Sequence, residues 1–284
     1  MKSLILLFSF CALGAVSLAQ TDSAAVPGST NKSTLTLAAI YTNNASYYGQ
    51  KAAEPTPYVA AAAVFQLPSG IYFTGQSYKL LNDTSSAVSA GALGLGYTFH
   101  IGKKFITDMS YSHSFYPAYS PLLQASNTDN ASLSFSFDSI WIKPKVTADY
   151  AFGKTSDAFV TAELSKSIDL FSISSKDIVT IEPAANVVGG TQHFYQTYIT
   201  QKNIHDSVLG LLGLPGLGNS RSVSHSDTVT TTSFNLLSYN FKLPIAYNRA
   251  HYLLQAEYQL SLLGEHAVNK QINSFLTFSF YYQF

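Results

Sequence analysis

The sequence predicts an all-β fold, a transmembrane antiparallel β-barrel of about twelve strands with short periplasmic turns and longer extracellular loops. Three observations predict it. Residues 273–284 place Leu276, Phe278, Phe280, Tyr282 and Phe284 on one face at period two, with Asn273, Thr277, Ser279 and Gln283 on the other. Met1 and Lys2 precede an apolar run over 4–16 and then Ser17 and Ala19, the pattern of a cleaved export signal. Charged residues are 11% of the chain against a usual ~25%. No run after the first approaches the roughly 20 apolar residues of a spanning helix, so apolar content is delivered by alternation.

These observations divide the chain into a signal peptide over 1–19, with cleavage expected after Ala19, a polar periplasmic tail over 20–33 and a barrel over 34–284. The only cysteine, Cys11, falls inside the signal. Phe10 before it occupies a position where a lipoprotein needs a small residue. A mature chain without thiols excludes a disulfide framework, a thiolate metal site and cysteine catalysis. Lys plus Arg and Asp plus Glu are both 16, which gives no bias toward nucleic acid.

The strands follow in order. The first is 34–42, and the Asn-, Gly- and Pro-containing stretch 43–57 separates it from 58–67. Pro68-Ser69-Gly70 turns the chain into 71–80, a polar link at 82–85 leads to 87–101, and Gly102-Lys103-Lys104 leads to 105–116. After the Pro- and Asn-rich stretch 117–130 comes 131–152, long for one strand and interrupted by Pro144, which predicts a bulge or rim extension. Then come 158–168, 177–188, 192–201, the long connection 202–231, 232–247, 251–263 and the closing strand. Long and short connections alternate, so both termini are expected in the periplasm, with 43–57, 117–130, 202–231 and 264–272 outside.

Two further strands define the faces. Leu237, Tyr239, Phe241, Leu243, Ile245 and Tyr247 alternate with Ser238, Asn240 and Lys242, and Tyr252, Leu254, Ala256, Tyr258, Leu260 and Leu262 alternate with Gln255, Glu257, Gln259 and Ser261. The apolar sets are expected to face lipid. Asp108, Lys145, Asp149, Glu163, Glu182, Lys242 and Glu257 fall on opposite faces, and a charge at mid-depth on the lipid side costs roughly 2–4 kcal/mol for Lys or Arg. These seven are therefore the lumen-lining candidates, as a selectivity lining or as an internal salt-bridge network. Ala90, Ala92, Gly94 and Gly96 thin one wall and favour an open path.

Family resemblance enters at the closing strand and at the prolines. The aromatic end at Phe280, Tyr282 and Phe284 resembles the signal read by the bacterial barrel-assembly machinery. Ile142-Lys143-Pro144-Lys145-Val146, Ile181-Glu182-Pro183-Ala184 and Lys242-Leu243-Pro244-Ile245, with Gly189-Gly190-Thr191-Gln192-His193-Phe194-Tyr195, are similar to recurring strand patterns of Bacteroidetes outer-membrane β-barrel proteins. That family is largely uncharacterised, so the resemblance implies the class and lineage and brings no catalytic residue. The lineage implies O-glycosylation at Asp-Ser/Thr-apolar triplets, among which Ser207 and Thr228 fall in the long loop.

That loop carries Leu209, Leu211, Leu212, Leu214 and Leu217, more apolar than solvent exposure allows. It reads as a gate folded into the barrel mouth, a patch for a partner protein or the outer leaflet, or a cap packed for stability. Tyr111-Ser112-His113-Ser114 is the nearest approach to the Ser-His chemistry of outer-membrane lipid hydrolases. Adjacent strand residues point to opposite faces, so His113 cannot readily reach Ser112 or Ser114, and no enzyme is expected. The histidines lack metal-ligand spacing, and no cofactor motif occurs. The expected function is a narrow porin-like channel for small polar solutes, gated or capped by 202–231, with outer-membrane lipid and the assembly machinery as partners. The alternative is a non-conducting structural or docking subunit of an envelope complex.

Overall fold

A computed structural model describes residues 4–8, 18–22, 32–83, 87–117, 120–139, 141–195, 233–265 and 272–284. Among them twelve antiparallel strands close into a barrel. In chain order these are β1 Thr34–Thr42, β2 Tyr58–Gln66, β3 Ile71–Leu80, β4 Ala90–Ile101, β5 Phe105–Phe115 and β6 Asp129–Phe137. β7 Lys143–Phe152 and β8 Ser156–Ser165 follow. β9 is made of two runs, Asp177–Ile181 and Ala184–Gly190, which pair in sequence with one neighbour, β10 Asn235–Arg249. β11 Tyr252–Leu263 and β12 Ile272–Gln283 complete the ring, and β12 closes it on β1. Leu4–Phe8 and Leu18–Asp22 pair as a separate two-stranded sheet.

The count of twelve agrees with the sequence, but two of its elements do not. The expected strand 131–152 is two strands, β6 and β7, and pairing between them stops at Ser136↔Lys145, one residue before Pro144. The turn between them carries Trp141 and Ile142, 76% and 48% exposed. Apolar residues in a turn continue the alternation and conceal it; a Trp there suits a membrane–water boundary. The expected strand 192–201 begins instead as a helical turn at His193, and residues 196–201 lie outside the described set. The two errors cancel in number. They also shift sidedness in between: 153–155 joins the end bearing the long loops, and 172–176 joins the end bearing the short turns and Phe284.

Pro183 interrupts β9 without breaking the wall. Glu182 N–H donates to the Pro244 carbonyl at 3.0 Å, and Lys166 N–H donates to the Pro183 carbonyl at 3.1 Å. A short run, Ile168–Phe171, pairs with Asp177–Ile181 and prolongs the β8–β9 hairpin beyond the rim.

The outer wall is apolar along its length. Phe73, Leu93, Leu95, Met109, Phe135, Phe241, Leu254, Tyr258 and Phe278 each expose between 47% and 60% of their surface, and they recur at period two on successive strands. A water-soluble monomer rarely exposes a contiguous apolar patch beyond a few hundred Å². The faces of β10 and β11 are as the alternation predicts, with one exception. Leu237 is fully buried, because the register shifts between Val188 and Gly189 and the bulge turns Leu237 inward beside Ser238. Phe275 and Tyr281 of β12 also face in, at 3% and 5% exposure.

Candidate functional site: the lumen and its inserted loops

The inner wall is polar by alternation, and the wall pairing sets which charges meet. Asp108, Lys145, Asp149, Glu163, Lys242 and Glu257 all occupy inward positions. Glu182, at the break in β9, reaches inward to accept from Ser165 Oγ at 3.0 Å. Glu163 lies at the centre: Lys242 Nζ is 3.4 Å from its Oε2, and Asn186 Nδ2 donates to the same oxygen at 3.1 Å. Lys145 is directly cross-strand from Glu163. Asn240 extends the network by donating to Asn186 Oδ1 at 2.7 Å and accepting from Gln259 at 3.4 Å. Asp108 is held on the opposite wall by Thr98 Oγ1 at 2.7 Å and Tyr72 Oη at 3.0 Å.

The thin wall of β4 is not open space. A Cβ on Gly96 would sit 2.1 Å from Tyr72 Cζ, so the tyrosine ring that binds Asp108 lies directly over the glycine. At Gly96 the missing side chain makes room for the Tyr72 ring and at Gly94 for Thr74 Oγ1, so at these two positions the wall is filled rather than widened.

The described constriction comes from a loop that composition presents as an ordinary external connection. Residues 43–57 fold into the barrel, with Asn44, Tyr47, Gln50 and Thr56 at 3–8% exposure. Asn44 Oδ1 accepts from the Thr56 N–H and hydroxyl at 2.9 Å each, closing the base. Tyr47 and Gln50 exchange both backbone hydrogen bonds, at 2.8 and 3.0 Å, around Tyr48-Gly49. Both turn residues have positive φ, 52° and 84°, the signature of a two-residue type I′ hairpin turn. Glycine takes that conformation freely. Tyr48 does so at a cost of about 1–3 kcal/mol.

The tip of this hairpin reaches β8 and β10 across the lumen and also meets β12, the neighbour of β1. Ser238 Oγ donates to the Tyr48 carbonyl at 2.8 Å, and Asn273 Nδ2 donates to the Gly49 carbonyl at 3.0 Å. The Tyr48 ring stacks on Phe159 of β8 at 3.8 Å between centroids, inclined 18°. A Cβ on Gly49 would lie 2.4 Å from Asn240 Oδ1, so no other residue fits there unchanged. Tyr47, Phe159, Phe194, Leu123 and Leu237 form one buried apolar cluster around the tip.

Two more segments enter from the same end, and one carboxylate joins them. Leu122, Leu123 and Gln124 of the connection between β5 and β6 are 2–3% exposed. Asp157, 1% exposed, accepts from Asn127 Nδ2 at 2.9 Å, from Thr191 Oγ1 at 2.7 Å, and from the backbone N–H groups of His193 and Phe194 at 2.7 and 2.9 Å. A side-chain oxygen capping the first N–H groups of a helical turn is what ends the expected strand at 192. Sequence reading passed over Asp157 because it sits in a Gly-Lys-Thr-Ser-Asp turn. The available signal was an acidic residue just inside a strand that otherwise reads as apolar.

Under the hairpin a polar cavity of about 20 Å³ lies against β11, β12 and β1. A larger one of about 250 Å³ opens beside Lys51, Tyr195, Leu263 and Asn273. The proposed gating leucines, Leu209, Leu211, Leu212, Leu214 and Leu217, lie outside the described residues, as do Ser207 and Thr228. Phe280 and Phe284 project outward at 41% and 66% exposure, Tyr282 packs edge-on against Phe284 at 4.7 Å, and the Phe284 N–H donates to the Leu35 carbonyl at 2.9 Å.

His113 faces outward, where its Nδ1 lies 2.8 Å from Asp129, which also accepts from Tyr111 Oη at 2.5 Å. Ser112 and Ser114 point to the lumen, so no serine nucleophile adjoins that histidine on its strand. Among the described residues no group of His, Cys, Asp and Glu is arranged to hold a metal ion.

No protein-family profile and no curated protein matches the sequence. Solved structures similar to the chain include the KdgM porin, at 7% identity over 88% of this chain and 99% of that one, with a TM-score of 0.48. Similar too are LpxR from Salmonella typhimurium, at 7% identity, 88% and 99% coverage and a TM-score of 0.47, and an outer membrane channel from Pseudomonas putida, at 12%, 94% and 100% coverage and 0.44.

Proposed function

We propose that this protein is a bacterial outer-membrane barrel that passes small polar solutes through a narrow lumen, with access controlled at the loop end. The observation that carries this reading is the inner wall. Asp108, Asp149, Glu163, Glu182 and Glu257 face fewer lysines, Lys143, Lys145 and Lys242, in the same interior. Carboxylates without a matching cation cost several kcal/mol each away from water, so a wall of this kind favours a hydrated interior and cations over anions. The inserted hairpin at 43–57 is the primary constriction in this reading, and the apolar run 209–217 caps it from outside. The chemistry is passage rather than catalysis.

In this reading residues 1–19 are removed, both termini lie in the periplasm, the assembly machinery recognises Phe280, Tyr282 and Phe284, lipid covers the outer wall, and the chain is of Bacteroidetes origin.

A second reading has its own observation. The apolar cluster of Tyr47, Phe159, Phe194 and Leu237 fixes the hairpin tip to the wall at the loop end, which suits a non-conducting barrel that docks an envelope partner. Planar-bilayer conductance of the purified chain decides between them, measured with 45–52 replaced by a Gly-Ser linker and, separately, with 209–217 deleted. The channel reading expects the first change to raise unit conductance and the second to raise open probability. If all forms are silent while the barrel keeps heat-modifiable gel migration, the channel reading fails.

A further inference from the structure

Glu257 is set apart from the other luminal carboxylates. Asp108, Glu163 and Glu182 each receive a side-chain hydrogen bond, and Asp149 receives one from Asn130 at 3.5 Å. Glu257 is 8% exposed and receives none from any described residue. The charged groups that face it are Lys242, already 3.4 Å from Glu163, and the carboxylates Glu163 and Glu182. Lys242 is thus shared between Glu257 and Glu163, and Glu163 also has Lys145 directly across the strand pair.

Its carboxylate lines the cavity of about 20 Å³ beneath the hairpin. Oxygen-bearing groups make up most of the rest of its lining, among them Ser46, Gln255, Gln259, Thr277 and Ser279. Thr277 Oγ1 already donates its proton to Thr42 Oγ1 at 3.2 Å, which leaves a lone pair free to face the cavity. The donors come from three independent pieces of chain, β11, β12 and the inserted hairpin, so the site forms only when the hairpin is in place. Its volume accommodates about one water-sized centre.

We propose that Glu257 and these oxygens form a binding site for a monovalent hard cation of sodium or potassium size, closed from above by the 43–57 hairpin. One carboxylate with hydroxyl and amide oxygens supplies the charge such an ion needs. Calcium usually draws on more carboxylate charge, and magnesium demands near-ideal octahedral geometry and keeps several waters. The ion binds a carboxylate that receives no hydrogen bond from a described residue and shares its lysine with Glu163, and Ser46 makes it a link between hairpin and wall. The site deepens the channel reading by naming the solute class that the constriction holds. The two fail separately, because occupancy reports binding and conductance reports passage.

The test is anomalous diffraction from crystals of the full chain soaked with thallous ion, compared with Glu257→Gln and with the near-isosteric Thr277→Val. The expected result is a peak within the cavity of the unaltered protein, absent in Glu257→Gln and weakened in Thr277→Val. Should Glu257→Gln fail to assemble, Thr277→Val carries the comparison. Absence of a peak in the unaltered protein, or an equal peak in every variant that assembles, overturns the proposal.

Discussion

At the scale of single residues, Asp157 is the clearest case of a side chain whose value lies in the donors it satisfies. Its two oxygens accept from two backbone N–H groups and from the side chains of Asn127 and Thr191. Replacement by Ala leaves buried donors without partners, each at about 1–3 kcal/mol. We expect Asp157→Ala to keep the barrel but release the segments at 120–127 and 191–195, seen as faster proteolysis at those positions. Asp157→Asn, which keeps one acceptor, should be intermediate. Equal protease resistance of all three proteins would show that the network is not what holds those segments.

The Tyr48-Gly49 tip offers the opposite kind of residue effect. Tyr48 accepts an unfavourable φ of 52° and is compensated by its stack on Phe159. Tyr48→Asn keeps a residue that tolerates that φ while removing the ring. The predicted outcome is a barrel of unchanged thermal stability with a larger mean conductance, because the tip loses its hold on β8. Conductance equal to that of the unaltered chain would place the seal elsewhere.

At the scale of elements, the difference between the two wall faces sets the tolerance to charge. Leu95 projects from the middle of β4 at 48% exposure, whereas Gly96 beside it is buried and faces in. Leu95→Lys is expected to destabilise the inserted barrel by roughly 2–4 kcal/mol, read as a lower midpoint in denaturant-dependent refolding into lipid vesicles. Leu95→Met should be nearly neutral. A lysine tolerated as well as the methionine would mean that this face does not meet hydrocarbon.

The same elements show what is legible in a sequence of this type and why. Period-two alternation specifies faces directly, so β1, β3 and the alternation of β10 to β12 are readable to within a few residues. Alternation does not mark where a strand stops when the turn is itself apolar, and Trp141 and Ile142 hid the turn between β6 and β7. Nor does it foresee a tertiary cap: the 192–195 segment has strand-like composition, and Asp157, some thirty-five positions earlier, holds it in a helical turn. The inward course of 43–57 was equally hidden. Its composition is that of an exposed loop, and the carbonyls at its tip find partners on strands distant in sequence, Ser238 and Asn273.

At the scale of the whole molecule, the interior charge pattern and the closure at the loop end act in series, and ion selectivity reads their combination. Lys242 lies within 3.4 Å of Glu163 and is electrostatically coupled to Glu257. Charges lining a pore set its selectivity, and in a low-dielectric barrel wall they act with little screening. Removing Lys242 while keeping its length, as in Lys242→Met, leaves Glu257 without its lysine and Glu163 with Lys145 alone. Cation preference, measured as the reversal potential across a tenfold KCl gradient, should then rise. Glu257→Gln should lower it, and the double variant should fall between the two because the substitutions oppose each other on one field. This ordering separates a conducting lumen from a sealed one with a leak around the barrel: a leak path would leave the reversal potential unmoved by all three. Salt provides the independent check, since the differences among variants should shrink between about 0.1 and 1 M as the screening length falls from about 10 to 3 Å.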